Sequence, residues 1–181
     1  MKQVLWARDL TRRLLAAPLP RRWAHSQGVG RKAESIAHFV GEDAEILVCA
    51  AWLHDVGYAS ALVTTGLHAL DGARYLRDVE KADDRVCRLV AHHSCASIEA
   101  GNRGLAGDLA AEFPPMDGFL SDALTYCDMT TSPDGEPVDV EVRLAEILAR
   151  YDQGDVVHRS ISTAHRAIAE TVRRVESAIA G

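Results

Sequence analysis

Four ionisable residues of this chain fall on faces that should be apolar: His25, the adjacent pair His54-Asp55, and Asp128. His25 shares a helical face with Val29 and Ile36, by the spacing that stacks side chains on one side of a helix. His54 and Asp55 close the most apolar run of the sequence, 46–53, and Asp128 follows Leu124 and Leu120 along one stripe. A carboxylate in such a place is costly unless it is paired or bound to a metal. Each residue taken singly has a plainer reading: a buried His is commonly a hydrogen-bonded core residue, and an inward Asp commonly pairs with an Arg. Together they bring two imidazoles and two carboxylates to one core without an equal number of buried cations. Mixed His/Asp ligation suits a borderline divalent ion such as Mn, Fe, Co, Ni or Zn.

Two further histidines belong to the same question. In the pair His92-His93, the stripe of Val86, Leu89 and Val90 takes His93 inward and leaves His92 as a rim, supporting or substrate-contacting residue. His68 shares a face with Gly72, Tyr75 and Val79, and the bare Gly72 leaves room for close approach beside it. A polar residue at a helix start explains His68 equally well, so both readings stand. His38, His158 and His165 lie off the apolar stripes and read as solvated.

The elements that must position these residues are helical throughout, since apolar residues recur at helical period and no two-residue alternation occurs. Helices are expected at 2–16, 21–40, 43–55, 67–79, 83–93, 119–129, 138–151 and 157–180. The helix 43–55 is apolar nearly all round and should be central, with Gly57 placed to stop it. The Gly- and Pro-containing stretch 94–118 should hold at most one short helix near 105–112, and is read either as a mobile lid or as an ordinary long connection. The expectation is one all-α domain over 1–181, a bundle of about seven to eight helices with its core at about 21–130 and closing helices at 138–180. The stripe of the last helix suits either its own core or a homodimer partner.

The chain-wide numbers narrow the partners. A net charge of -6 argues against nucleic acid or an anionic membrane as the main partner, because both need a basic footprint. It leaves room for a small anionic substrate, since a bound metal reverses the local field. The longest apolar run, 46–53, is too short to span a bilayer. The first fifteen residues are broken by charges, unlike a secretory signal. Cys49, Cys87, Cys95 and Cys127 form no C-x-x-C pair, and a reduced cytoplasmic protein is the simplest reading.

The order His25, His54-Asp55, Asp128 resembles the signature of the HD-domain superfamily of metal-dependent phosphohydrolases. Arg22-Trp23-Ala24-His25-Ser26 is similar to its first motif, Trp52-Leu53-His54-Asp55-Val56-Gly57 to its doublet motif, and Tyr126-Cys127-Asp128 to its late aspartate motif. His68-Ala69-Leu70-Asp71-Gly72-Ala73 and His93-Ser94 resemble the extra motifs of members that hold two ions. Tyr58 departs from the pattern, standing where many relatives carry a lysine, and no Gly-Tyr-Pro follows His93. The second departure disfavours cyclic-dinucleotide cleavage. The acidic motif of alarmone hydrolases is absent too.

The resemblance implies an all-α HD-type fold and a hydrolase built around His54 and Asp55. It implies a first ion held by His25, His54, Asp55 and Asp128, and a second held by Asp55 as a bridge with His68 and His93. One or two divalent ions (Mn, Fe, Co, Ni, Zn or Mg) would lower the pKa of water from 15.7 towards about 7. Arg22, Arg103 or His92 would meet a phosphorylated substrate, with a nucleotide favoured, carrying a phosphomonoester or phosphoanhydride. The rival from another class is a non-catalytic metal- or nucleotide-binding signalling module. A structural zinc scaffold fits less well, because such sites are usually Cys-rich and no Cys stands among these ligands.

Overall fold

The structure, a computed structural model, describes residues 2–181. Its helices are α1 (Lys2–Leu15), α2 (Pro20–Ile36), α3 (Ala44–Leu53), α4 (His68–Asp78), α5 (Asp84–His92), α6 (Ala96–Asn102), α7 (Ala106–Glu112), α8 (Phe119–Met129), α9 (Val140–Arg150) and α10 (Val156–Ala180). Among the described residues there is no β-strand, only an isolated bridge between Thr131 and Pro137. The fold is all-α, as the helical periodicity demands. The eight longer helices lie where that periodicity places them, and two short ones, α6 and α7, fill the stretch expected to hold at most one. At seven residues, α6 spans under two turns, too few for an apolar stripe to show. Its buried Ala96 and Ala100 pack it against the rest of the bundle, so 94–118 is largely a packed helical pair.

Helix α3 is the axis. Every residue from Leu47 to Leu53 is buried, and α1, α2, α5 and α8 pack around it. The Thr11 hydroxyl of α1 donates to the Trp52 carbonyl at 2.8 Å, and the rings of Trp23 and Trp52 lie 5.8 Å apart. A second, smaller core joins the end of α8 to α9 and α10 through Met129, Leu144, Ile147, Ala164, Ile168 and Val172. Asp139 and Asp155 start these last two helices by accepting the backbone N–H of Glu141 (2.8 Å) and of Val157 (2.7 Å), the usual side-chain cap for orphaned helix donors. The seam between the two cores holds the ionisable residues.

Two helices end earlier than the expected bounds of 40 and 55. α2 gives way at Ile36 to a 3₁₀ stretch, Ala37–Asp43, that turns through Gly41 at φ +60°. α3 stops at Leu53, so His54 and Asp55 lie in the turn beyond it rather than within the helix. The chain then makes a 3₁₀ turn, Val56–Tyr58, pressed onto the start of α4. A Cβ on Gly57 would lie 1.9 Å from the His68 carbonyl oxygen and 2.7 Å from the Gly72 nitrogen. Two glycines thus let the turn after Asp55 touch the backbone that carries His68. The loop before α4 is tied by buried Asp71, which accepts from the hydroxyl of Thr64 at 2.6 Å and the amide and hydroxyl of Thr65 at 3.0 and 2.9 Å. Gly57→Ala should therefore force α4 away from the doublet and cost about 1–3 kcal/mol of stability, as overpacking does. A thermal melt unchanged from the parent would contradict that close approach.

Candidate metal centre

Six side chains from five places in the chain meet at the seam. The ligand atoms of His25, His54 and Asp128 lie within 4.8 Å of one another, and so do those of Asp55, His68 and His93. His25 comes from the middle of α2, His54 and Asp55 from the turn after α3, His68 from the first turn of α4, His93 from the end of α5, and Asp128 from the last turn of α8. All are buried except His68, which is partly exposed towards a cavity. Asp55 joins the two groups. Its Oδ2 lies 3.4 Å from His54 Nε2 and 4.0 Å from His25 Nε2, while its Oδ1 lies 3.6 Å from His68 Nε2. The nitrogens His68 Nε2 and His93 Nε2 are 3.1 Å apart, and His25 Nε2 is 2.9 Å from Asp128 Oδ1.

Backbone carbonyls set three of the rings. His25 Nδ1 is 3.0 Å from the Ser132 oxygen, His54 Nδ1 is 2.8 Å from the Ala51 oxygen, and His93 Nδ1 is 2.6 Å from the Val90 oxygen. With Nδ1–H donating in each, every neutral ring turns an Nε2 lone pair towards the centre, the tautomer that such outer bonds impose on metal-binding histidines. The Nε2 of His54 is wholly buried and has no hydrogen-bond partner. His25 has a carboxylate at Nε2 and a carbonyl at Nδ1, two acceptors for the one N–H of a neutral ring. A cation between these nitrogens and carboxylates resolves both mismatches. The donor set therefore fits a divalent ion, as borderline N/O ligation does.

The profile of the HD domain matches residues 22–154, most of the chain. The chain belongs to the HD-domain family. The match extends beyond the three motifs to take in α9. The chain is also similar to Ribonuclease Y of Rubrobacter xylanophilus, at 39% identity over 70 residues, which are 39% of this chain and 14% of that protein. No solved structure matches the chain. HD domains act as metal-dependent phosphohydrolases, and the buried His/Asp groups here can hold divalent metal.

Several residues of the HD centre carried no sequence signal of their role. The Ser94 hydroxyl donates to Asp128 Oδ2, from a left-handed backbone position at φ +48°. Tyr58 stacks on His68 at 4.1 Å between ring centres, and the guanidinium of Arg22 lies 3.9 Å from the centre of the Tyr58 ring. Where many relatives have a lysine, this chain has an aromatic plate. Arg22 also donates to Asp55 Oδ2 at 2.7 Å. The other two residues singled out for the substrate lie further out. His92 is hydrogen-bonded to the Phe113 carbonyl at 2.6 Å, and Arg103 pairs with Glu99 at 2.7 Å. Neither lines the cavity over the centre, although Glu99 does.

Burial works against every charge in this HD centre, and the neighbours decide the sign. It pushes His68 down to about 3, helped by the field of His93, and it pushes His93 down as well. It also works to lower His54, but Asp55 and Asp128 win and raise it to about 9. Burial opposes ionisation of both carboxylates, yet Arg22 with His54 and His25 holds Asp55, and His25, His54 and His93 hold Asp128, well below the usual range. For the metal-free chain, His54 binds a proton more tightly folded than unfolded. Its contribution is complete below the unfolded value of about 6.5 and is lost as pH rises through about 9. His68 has the opposite sign, so its contribution falls as pH drops from about 6.5 through about 3. The carboxylates lose theirs below about 4. Melts of the chelator-treated chain should therefore peak between pH 6 and 7.5, about the unfolded histidine value, and fall on both sides. A monotonic profile would refute these assignments.

Proposed function

We propose that this protein is a phosphohydrolase with two divalent ions, acting on a small phosphorylated compound, a nucleotide in preference. The carrying observation is the pairing of two three-residue ligand groups through the two oxygens of Asp55. His25, His54 and Asp128 would hold one ion, His68 and His93 the other, and Asp55 would face both. Ions so held supply acidified water and charge neutralisation at a phosphoryl oxygen, the shared work of two-metal sites. The chain's own residues do the rest. Arg22 fixes Asp55 and presents its guanidinium beside the site, while Ser94 fixes Asp128. The Nδ1 tethers keep the lone pairs of His25, His54 and His93 aimed inward.

The cavity over the centre favours an organic phosphate. Asp55, His68, His93 and Asp128 form its floor, while Met129, Ile147, Tyr151, Val157 and Ile161 give it an apolar wall. A flat aromatic base suits such a wall, as mostly apolar ligand pockets suit drug-sized molecules. Ribonuclease Y, by its name, cuts RNA. Here the net charge of -6 supports a small molecule over a polyanion. No helix among the described residues is long and apolar enough to cross a membrane. Four free cysteines, three of them buried, suit a reducing cytoplasm.

Metal content of the purified chain should be about two ions per chain, the occupancy of a two-metal centre. It should fall towards one in His68→Ala and His93→Ala. Asp55→Ala should lose metal and turnover of manganese-supported nucleotide hydrolysis by more than a hundredfold, in the range that loss of a principal catalytic interaction produces (~10²–10³), with helicity kept. Turnover retained in that variant would overturn the assignment.

A further inference from the structure

The metal centre does not use the two arginines of α9. Arg143 and Arg150 line the cavity that contains Asp55, His68, His93 and Asp128. They also line the crevice beside it, together with Arg22 and His25. Arg143 is only 5% exposed. Its Nη1 donates to Glu146 at 2.5 Å, while its Nε is buried with no partner. Arg150 donates to the same carboxylate, its Nε at 3.1 Å. One carboxylate thus serves two guanidinium groups, and a positive charge is left over at the cavity wall. The nearby Glu99 does not cancel it, because Arg103 already holds that carboxylate.

A scaffold arginine buried this deeply should have its fork filled, since an unmade bond on a buried donor is expensive. Arg143 instead keeps a buried Nε–H without a partner, on a side chain that lines the cavity. The planar fork of a guanidinium matches the oxygens of a phosphoryl group, often two at a time. The phosphoryl group being cleaved already has the metal ligand groups and Arg22 to meet it. Arg143 and Arg150 are therefore surplus to a simple monoester, and they line the same cavity as the metal ligand groups. We propose that Arg143 and Arg150 form a subsite for a second, linked phosphoryl group, making the preferred substrate a diphosphate-containing compound rather than a monoester. This rests on the phosphohydrolase reading for the meaning of the site, but its binding test does not.

The test is calorimetric titration of the full chain, freed of metal with chelator, with inorganic pyrophosphate. Without metal, neither hydrolysis nor chelation by a bound ion contributes to the heat. Pyrophosphate should bind the parent, and its Kd should rise tenfold or more in Arg143→Gln and in Arg150→Gln. Arg150 is the more exposed of the two, so its variant serves if Arg143→Gln fails to fold by circular dichroism. No binding by the parent, or equal affinity in the folded variants, would overturn the subsite. Turnover of ADP, a diphosphate, and of p-nitrophenyl phosphate, a monoester, by the manganese-loaded parent is measured separately. Loss of pyrophosphate affinity without any such turnover leaves the subsite standing and removes the phosphohydrolase reading. Turnover with unaltered pyrophosphate affinity does the reverse.

Discussion

Asp55 and Asp128 are two buried carboxylates set among four imidazoles, with one guanidinium, that of Arg22, bonded to Asp55. Burying such a group without compensation costs several kcal/mol per ion, an order-of-magnitude figure that makes the local charge balance decisive. The chain answers it in two ways. Arg22 and Ser94 each take one carboxylate oxygen, and the remaining oxygens face ring nitrogens at distances a cation can bridge. Most of the helical packing serves to hold that balance in place. α3 is buried on all sides so that the turn after it arrives in the middle of the bundle, and α2, α4, α5 and α8 each bring one further ligand to it.

Precision comes from the backbone more than from the helices themselves. Carbonyls one turn back on α3 and α5, those of Ala51 and Val90, fix the rings of His54 and His93. The Ser132 carbonyl does the same for His25 from the far side of the site. That turn is held against α2 because Gly28 and Gly135 have no side chains, a Cβ on Gly28 meeting the Gly135 oxygen at 2.4 Å. The Gly57 and Gly72 contact plays the same part for His68. Local close approach between elements, permitted by missing Cβ atoms, sets where the nitrogens point.

What was legible in the sequence follows from this division. A helix with a long stripe, such as α10, announces itself by period, and α3 by a run that is apolar nearly all round. Asp128 stood out because a carboxylate on the stripe of Leu124 is the hardest of the four to explain as scaffold, and His93 because the same periodicity turns it inward. Asp71, by contrast, is a buried acid whose partners are Thr64, Thr65 and backbone amides, and nothing in its spacing separates it from a ligand. The roles of Ser94 and Tyr58 depend on a left-handed turn and on a ring stack, which no periodicity encodes. His92 and Arg103 were candidates for meeting the substrate, yet each is held by a local partner, Phe113 or Glu99, and neither lines the cavity. Short helices such as α6 stayed hidden because small residues give too little contrast to read.

The two cores divide the labour of the site. Five of the six candidate ligand residues come from the turns and helices that surround α3, before the second core begins, and Asp128 stands at the junction with it. The apolar wall and the surplus arginines come mostly from α9 and α10. Fold-level resemblance speaks to the first part, since metal ligation is the shared chemistry, and says little about the second, where selectivity lies. The two parts meet through Met129, one residue after Asp128, which packs into the second core while lining the cavity. A change in how α9 and α10 pack would therefore reshape the wall while leaving the ligand rings tethered to their own carbonyls. The cavity wall and the candidate metal ligands are thus held by separate sets of contacts.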